Sequence, residues 1–291
     1  MNASLAFGLC LLILGCNRET SEKHAVSRQM PLDVATPALF KIIATDSGFD
    51  APAKISAGLR HIVFENRGSQ THESMLVKLP EGMSPDDYVS AVKGGNLFPE
   101  DALDYSGSGL TAPGETVDLW LKVDPGHYIL ICWNYGHSTT DPVHRFTVLE
   151  DDLADDIPPR EDVVLKLFDF RFELNGTLRK GAQVIRVETP GPSMHEVDIF
   201  RLHDAKTVAD LTQWRKQKGA ELAPGNAAPA DAMGGVLDSH DVHRVIWLRR
   251  TFSPGRYVLY CGMPMTGSAS GAKMDVTHAD VGMVKEFEIK P

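Results

Sequence analysis

The chain has few cysteines and an excess of acidic over basic side chains. It contains 4 cysteines in 291 residues, and its 29 lysines and arginines are outnumbered by 39 aspartates and glutamates, which gives a formal net charge of -10. Because phosphate groups are repelled by a surface of this sign, the composition argues against nucleic-acid binding and favours a basic partner. The hydrophobic fraction of 43% and the charged fraction of 23% are those of a globular protein.

No apolar run in the sequence is long enough to cross a membrane as a helix. The run within residues 1–16 is shorter than a span and is typical of a signal peptide. It ends in Leu14-Gly15-Cys16, which resembles the lipobox at which bacterial lipoproteins are cleaved and lipidated. We therefore expect a signal peptide, a lipid anchor on Cys16 and a location in the periplasm or cell envelope. The alternative is a plain signal peptide in which Cys16 is incidental.

If Cys10 leaves with the leader and Cys16 carries lipid, two cysteines remain, Cys132 and Cys261. Two cysteines in an oxidising compartment ordinarily form a disulfide. A disulfide requires Cα atoms within about 7 Å of each other. The two cysteines hold equivalent places in two copies of one pattern, and equivalent places in tandem domains are normally well separated.

Two copies of one pattern make up most of the chain. At one constant offset and without a gap, six positions of the first half match the second half: Phe49 with Phe172, Gly58 with Gly181, Ile62 with Ile185, Gly68 with Gly191, and His72-Glu73 with His195-Glu196. Further on, Pro125 to Cys132 matches Pro254 to Cys261, so each cysteine has the same place in its copy. Such a duplication predicts two domains of one fold. We expect a tether over residues 17–37, a first domain over 38–150, an acidic linker over 151–160 and a second domain over 161–291.

Short β-strands separated by Gly/Pro turns are predicted in each copy. In the first copy these strands are Ala38 to Ala44, Leu59 to Asn66, Ser74 to Leu79, Thr116 to Val123 and Tyr128 to Trp133. This spacing predicts an all-β sandwich. One helix is expected after the histidine-bearing strand of each copy, from Ser84 to Gly94 in the first and from Thr207 to Gly219 in the second.

The second copy contains His195, Cys261, His278 and Met283, in an order that resembles the cupredoxin family. The type 1 copper site of that family takes a histidine from mid-domain, a cysteine that ends a late strand, and a histidine and methionine from the next loop. The resemblance implies two tandem Greek-key β-sandwiches and a copper ion bound by these four side chains. Two imidazoles and a thiolate with a weak axial thioether suit both Cu(I) and Cu(II). The alternative is a buried thiol among structural histidines, with no metal.

The loop between Cys261 and His278 is long and contains Met263, Met265 and Met274. It resembles the lengthened loop at the type 1 site of copper nitrite reductases. The thioethers in this loop would serve either as additional Cu(I) ligands, as in copper-trafficking proteins, or as packing groups.

The first copy has a less complete set of donors. It keeps His72 and Cys132 and offers two candidates for the second histidine, His137 and His144. We align His144 with His278 because it stands before the last strand. On this alignment the Gly-Met step of the second copy, Gly282-Met283, is missing from the first copy. Asp141 is the axial candidate, although a carboxylate matches Cu(I) poorly. We expect this domain either to bind copper weakly or to have become a structural partner.

Copper nitrite reductases and multicopper oxidases resemble this architecture, but they place a histidine beside the type 1 cysteine, which joins it to a second copper centre. The neighbours here are Ile131 and Trp133 in one copy and Tyr260 and Gly262 in the other. We therefore expect a non-enzymatic copper protein that passes single electrons to or from a periplasmic partner. The alternatives are a Cu(I) trafficking or copper-tolerance protein and a metal-free scaffold module.

Overall fold

The structure is a computed structural model that describes residues 39–96, 98–99, 101–134, 137, 143–150, 153–217, 227–241, 243–265 and 276–291. The expectations for Cys16, residues 17–37, Asp141, Gly219 and Met274 fall outside these ranges. Pro37 to Pro291 form one compact unit. None of the helices in the described ranges has the length and hydropathy of a membrane span.

The described strands follow one order in both repeats. The first repeat contains β1 (Phe40–Thr45), β2 (Gly48–Asp50), β3 (Lys54–Ser56), β4 (Gly58–Asn66), β5 (His72–Leu79), β6 (Leu103–Thr111), β7 (Thr116–Val123), β8 (Gly126–Ile131) and β9 (His144–Leu149). The second contains β10 (Val163–Phe168), β11 (Arg171–Asn175), β12 (Gly181–Glu188), β13 (Val197–Leu202), β14 (Ala230–Val236), β15 (Val245–Phe252), β16 (Gly255–Tyr260) and β17 (Val284–Ile289). Helix α1 (Pro85–Lys93) follows β5, and helix α2 (Val208–Lys216) follows β13. The predicted all-β fold class is confirmed.

Helix α1 begins where local sequence signals predict it. The Ser84 hydroxyl accepts a hydrogen bond from the backbone N–H of Asp87 at 3.1 Å, and the Asp87 carboxylate accepts one from the backbone N–H of Ser84 at 3.0 Å. Thr207 and Asp210 form the same capping box at α2. These side chains satisfy backbone donors that the first helical turn leaves without partners, which fixes the start of each helix.

Strand β6 is the main element that our reading of the sequence does not predict. Its sequence, LDYSGSGLT, is rich in glycine and serine, which strands disfavour. The strand forms because its neighbours require it: a Cβ atom at Gly107 would collide with the backbone carbonyl of Ser74 on β5, and one at Gly109 would collide with the Asp198 carboxylate. Tertiary packing therefore overrides local propensity here.

Both sheets of the sandwich run through both repeats. Sheet I has the order β11-β10-β12-β15-β7-β4-β1-β2, and sheet II has the order β17-β16-β13-β14-β6-β5-β8-β9-β3. The repeats meet where β7 pairs with β15 and where β6 pairs with β14. In these ladders Leu119 faces Leu248 and Ser108 faces Val236, and the two residues of each pair hold equivalent places in their repeats. An approximate two-fold axis therefore passes through these two pairs.

The segment that we predict as a linker is hydrogen-bonded to the first repeat. Asp155 Oδ1 accepts a hydrogen bond from the backbone N–H of Leu59 at 2.8 Å, and Asp156 Oδ2 accepts one from the backbone N–H of His61 at 2.7 Å. Ile157, next in the chain, is 89% exposed. The acidic side chains of the predicted linker thus have a structural role that composition alone does not reveal.

We expect Leu248→Ala to lower the free energy of unfolding by about 3 kcal/mol, because it leaves a cavity at a fully buried position on the two-fold axis. Chemical denaturation of the full chain measures this. Leu149→Ala, at a position that is 38% exposed, is the control and should cost clearly less. Equal costs for the two variants would contradict this account of the interface.

Candidate metal centre

Three donor atoms converge at one end of the second repeat. His195 lies just before β13, Cys261 directly follows β16, and His278 begins the 3-10 turn His278–Val281. The ligand atoms all lie within 4.8 Å of one another, and the three residues are buried. His195 Nδ1 is 3.0 Å from His278 Nδ1, and Cys261 Sγ is 3.4 Å from His278 Nδ1.

Backbone hydrogen bonds hold the end of β16 against the turn that carries His278. The N–H of Ala279 donates to the carbonyl of Cys261 at 2.9 Å, and the N–H of Cys261 donates to the carbonyl of Met283 at 3.2 Å. The N–H of His278 donates to the carbonyl of Met263 at 2.8 Å. Met283 is fully buried beside this turn. The long loop is thus closed at its base, which brings residues distant in sequence to one place.

The first repeat contains an equivalent group of His72, Cys132 and His137. Its donor atoms also lie within 4.8 Å of one another, and all three side chains are buried. Cys132 Sγ is 3.4 Å from His137 Nδ1, the same separation as in the second repeat. The N–H of Glu73 donates to Cys132 Sγ at 3.5 Å. The first repeat therefore retains a three-donor group.

His144 is not part of this group. It begins β9, where it pairs with Leu130, whereas in the second repeat Leu259 pairs with Lys285. Because Leu130 and Leu259 hold equivalent places, His144 is the counterpart of Lys285. The alignment of His144 with His278 is therefore wrong, since strand register outweighs the mere position of a histidine before the last strand.

Counting back along the chain from this register makes His137 the counterpart of His278 and Pro142 the counterpart of Met283. Gly282-Met283 of the second repeat thus corresponds to Asp141-Pro142 of the first, so the Gly-Met step is replaced and not deleted. A gapless match of residues 137–149 with residues 278–290 was available in the sequence. Proline has no donor atom in its side chain, so the first repeat has no thioether at this position.

An aspartate contacts the outer nitrogen of the first histidine in both groups. Asp169 Oδ1 lies 3.0 Å from His195 Nε2, and Asp46 Oδ1 lies 3.2 Å from His72 Nε2. The hydrogen bond from His195 lowers the pKa of Asp169. A carboxylate at this distance favours the tautomer with the proton on Nε2. The lone pair of Nδ1 is then available to a metal ion. The two aspartates match at the repeat offset, a signal that our sequence analysis missed.

The two groups differ at the outer nitrogen of the second histidine. In the first repeat, His137 Nε2 lies 3.1 Å from Gln70 Oε1. In the second repeat, the ring of Phe170 meets the ring of His278 edge to face, with centroids 5.2 Å apart, and Phe170 is 38% exposed. A polar amide therefore covers one site and an aromatic ring borders the other.

Burial keeps the Cys261 thiol and the His278 imidazole neutral in the absence of a cation. It raises the pKa of the Cys261 thiol, and the nearby Glu196 carboxyl raises it further. Burial also lowers the pKa of His278 to about 4, so its imidazole is neutral and can offer a lone pair. A thiol in these surroundings ionises readily only when a metal ion supplies the compensating charge.

Each first histidine is followed by a buried glutamate. Burial raises the pKa of Glu73 to about 8, and burial together with Asp198 raises the pKa of Glu196. Burial also raises the pKa of Asp198 and of Asp238 to about 6. Glu73 is therefore largely protonated at neutral pH and adds little negative charge beside the donors.

The donor set of the second repeat fits copper. Two imidazole nitrogens and one thiolate sulfur bind both oxidation states of copper, and a fourth, weak thioether ligand is typical of such sites. Met283 is hydrogen-bonded through its backbone to both Cys261 and His278, and its side chain is fully buried. The residues that would hold the ion are His195, Cys261, His278 and Met283.

Cys132 and Cys261 are not disulfide-bonded to each other. They follow β8 and β16, which are five strand spacings apart in sheet II, or about 24 Å. The disulfide alternative is therefore excluded by the sheet order, because its geometry requires a much closer approach.

No protein-family model matches the sequence, and the search of curated proteins finds no match. Among solved structures, the chain is similar to auracyanin A, a blue copper protein from Chloroflexus aurantiacus, with 25% identity over 39% of this chain and 100% of that chain, and a TM-score of 0.30. It is also similar to a multicopper oxidase, with 13% identity over 87% of this chain and 88% of that chain, and a TM-score of 0.25. A copper-containing nitrite reductase from Thermus scotoductus has 12% identity over 87% of this chain and 61% of its own, with a TM-score of 0.24.

We expect Asp169→Ala to weaken Cu(II) binding by the second repeat about 10- to 100-fold, because the His195 ring loses the contact that sets its tautomer and orientation. Competition titration with a chelator measures this. Asp169→Asn should restore most of the affinity, since its amide oxygen still accepts the hydrogen bond. Asp46→Ala, at the equivalent place in the first repeat, should leave the second site unchanged. An unaltered affinity in Asp169→Ala would show that the contact has no such role.

Proposed function

We propose that this chain is a copper protein that carries single electrons, with the ion bound in the second repeat by His195, Cys261 and His278 and by Met283 as the axial ligand. The observation that supports this most directly is the convergence of two Nδ1 atoms and one Sγ atom in a buried group. When bound, copper supplies one-electron chemistry by cycling between Cu(I) and Cu(II).

The protein's own residues hold the donors in position. Asp169 fixes one ring, and the N–H of Ala279 fixes the turn against the end of β16. Donors held by strands and backbone hydrogen bonds move little when the charge at the centre changes, so electron transfer needs little reorganisation. The burial of Cys261 and Met283 keeps water away from the sulfur donors.

Electrons would enter and leave at the face that carries His278. This histidine is the most exposed of the three donors, at 6%, and Phe170 and Val281 beside it are 38% and 48% exposed. The net charge of -10 favours a partner with a basic docking face.

An electron carrier is favoured over a reductase or an oxidase by the residues that flank the cysteines. Ile131 and Trp133 flank one cysteine, and Tyr260 and Gly262 flank the other. None of these four can bridge to a second metal centre as a histidine would. The described ranges contain two groups of metal-binding residues, and each belongs to its own repeat.

The first repeat would hold a second copper ion through His72, Cys132 and His137. Its donor types and its sulfur-to-nitrogen separation match those of the second repeat. Pro142 stands where the second repeat has Met283, so this site lacks a thioether and should bind Cu(I) less tightly.

The packing of Met263 favours electron transfer over Cu(I) trafficking. Met263 is buried at 6% exposure within the main hydrophobic core, and its carbonyl accepts the hydrogen bond from His278. A methionine fixed in this way packs the site and is not displayed for ligand exchange.

The proposed setting is the cell envelope, with a lipid anchor on Cys16.

We expect Cys261→Ser to abolish the intense visible absorption that the second repeat shows with Cu(II), because that absorption requires a thiolate ligand. Cys132→Ser is the matched control: it should remove the contribution of the first repeat and leave that of the second. Copper titration followed in the visible range measures both. If wild-type chain gains no such absorption, the proposed function fails.

We expect Met283→Leu to keep the visible absorption and to raise the reduction potential, because loss of the thioether destabilises Cu(II) relative to Cu(I). Spectroelectrochemical titration measures the shift. Met263→Leu is the control, since this methionine contributes packing and should change the potential less. A larger effect of Met263→Leu would instead favour the trafficking alternative.

A further inference from the structure

A cleft lies beside the two-fold axis, where the second repeat meets the turn between β6 and β7. Its volume is about 460 Å³, and residues of β13, β14 and β15 line it together with residues of that turn. A volume of this size accommodates a small organic molecule. The cleft contains none of the six donor residues of the metal groups, so its role is independent of copper.

Three arginines line the cleft: Arg201, Arg249 and Arg250. Within the described ranges, Arg201 donates one hydrogen bond, to the carbonyl of Pro254 at 3.2 Å, and Arg249 stacks over the ring of Trp120 at 4.9 Å. Neither of these two guanidinium groups forms an ion pair in this part of the chain. Two cationic heads therefore remain available to a ligand.

Arg250 forms part of the wall of the cleft and has its partners inside the protein. It is 5% exposed, and its Nε atom is buried without a hydrogen-bond partner among the described residues. Its other nitrogens donate to the carbonyl of Thr116 and, at 2.6 Å, to the carboxylate of Glu115. Because that Nε atom has no accessible surface, a ligand in the open cleft does not reach it, and the site depends on Arg201 and Arg249.

The three carboxylates that line the cleft each contact a basic side chain. Glu115 pairs with Arg250, as described above. Asp118 Oδ1 lies 2.8 Å from His61 Nε2, and Asp231 Oδ1 lies 2.9 Å from His203 Nε2. Both histidines lie outside the lining of the cleft. Each acidic group of the lining therefore has a basic partner, whereas Arg201 and Arg249 have no acidic partner among the described residues.

The first repeat shows what the same place looks like when it is filled. Val77 and Phe200 hold equivalent places in their repeats; Val77 pairs with Asp104, and Phe200 pairs with Ala232. Asp104 and Ala232 are therefore equivalent, and so are the residues that follow them, Tyr105 and Met233. Tyr105 is 2% exposed there.

Other bulky and polar groups complete that filling. Arg244 packs over the Tyr105 ring at 4.4 Å, and His240 contacts the same ring at 4.5 Å. The counterparts of Arg249 and Arg250 are Trp120 and Leu121, from the pairing of Leu119 with Leu248. Arg249 and Arg250 lie on the side of the axis that has Met233 in place of the tyrosine, so the opening and the charge occur together.

We propose that this cleft is a binding site for a small oxyanion, either a phosphate or a carboxylate compound, held by Arg201 and Arg249. Guanidinium groups recognise both classes through paired, charge-assisted hydrogen bonds. In a protein of net charge -10 such a site is local, because the rest of the surface repels anions.

The test uses the full chain and two probes, inorganic phosphate and citrate, each titrated calorimetrically, with chloride as the simple-ion control. We expect one saturable site for at least one probe. Arg249→Gln should weaken it about tenfold or more, because one charge-assisted contact is lost. Met233→Tyr should also abolish binding, since it introduces the side chain that fills the equivalent place. The probe that binds more tightly identifies the phosphate or the carboxylate class.

Arg186→Gln is the matched control, because Arg186 also belongs to sheet I of the second repeat, at 34% side-chain exposure, but lies outside the cleft. It should leave binding unchanged. The proposal is overturned if neither probe shows a saturable site up to about 10 mM, if chloride binds equally well, or if Arg186→Gln weakens binding as much as Arg249→Gln. If Met233→Tyr does not fold, Arg249→Gln at its half-buried position decides the question alone.

Discussion

The pairing of the two repeats through both sheets is the constraint on which the other features depend. Because β7 pairs with β15 and β6 pairs with β14, neither repeat has a free strand edge at the junction, and two hydrophobic layers become one continuous core. These pairings are antiparallel, and so are those of β5 with β6 and of β13 with β14. Strands β5 and β13 therefore run in opposite directions, and His72 and His195, at their starts, face opposite ends of sheet II.

Within each repeat, the metal group follows from where strands end. Cys132 and Cys261 each directly follow the strand beside the histidine-bearing strand, and the next chain segment returns with the second histidine. The aspartate at the first hairpin, Asp46 or Asp169, reaches the outer nitrogen of the first histidine. The group is thus assembled by backbone pairing, and the side chains need little further adjustment. The same framework built twice accounts for the equal sulfur-to-nitrogen separations.

The sequence was sufficient for the all-β class, the helix starts and the strands around the first histidine and the cysteine, because these depend on periodicity, caps and turn residues close in the chain. It was not sufficient for β6, whose glycines and serines oppose strand formation and are retained for close packing against β5 and β13. The choice between His137 and His144 depended on the register of β8 with β9, which a position before a strand does not reveal. Asp46 and Asp169 were missed because contacts to an outer nitrogen have no sequence motif of their own.

Duplication also makes each repeat a reference for the other, and their differences are concentrated at sites. The outer nitrogen of His137 is engaged by the Gln70 amide, whereas an exposed aromatic ring borders His278. Because the first histidines of the two groups face opposite ends of sheet II, a partner docked at one site would leave the other uncovered. Under the function proposed above, the site bordered by Phe170 is the one that would exchange electrons with a partner. The same reasoning separates the filled side of the two-fold axis from the open one, where smaller side chains and arginines replace a tyrosine, a tryptophan and a leucine.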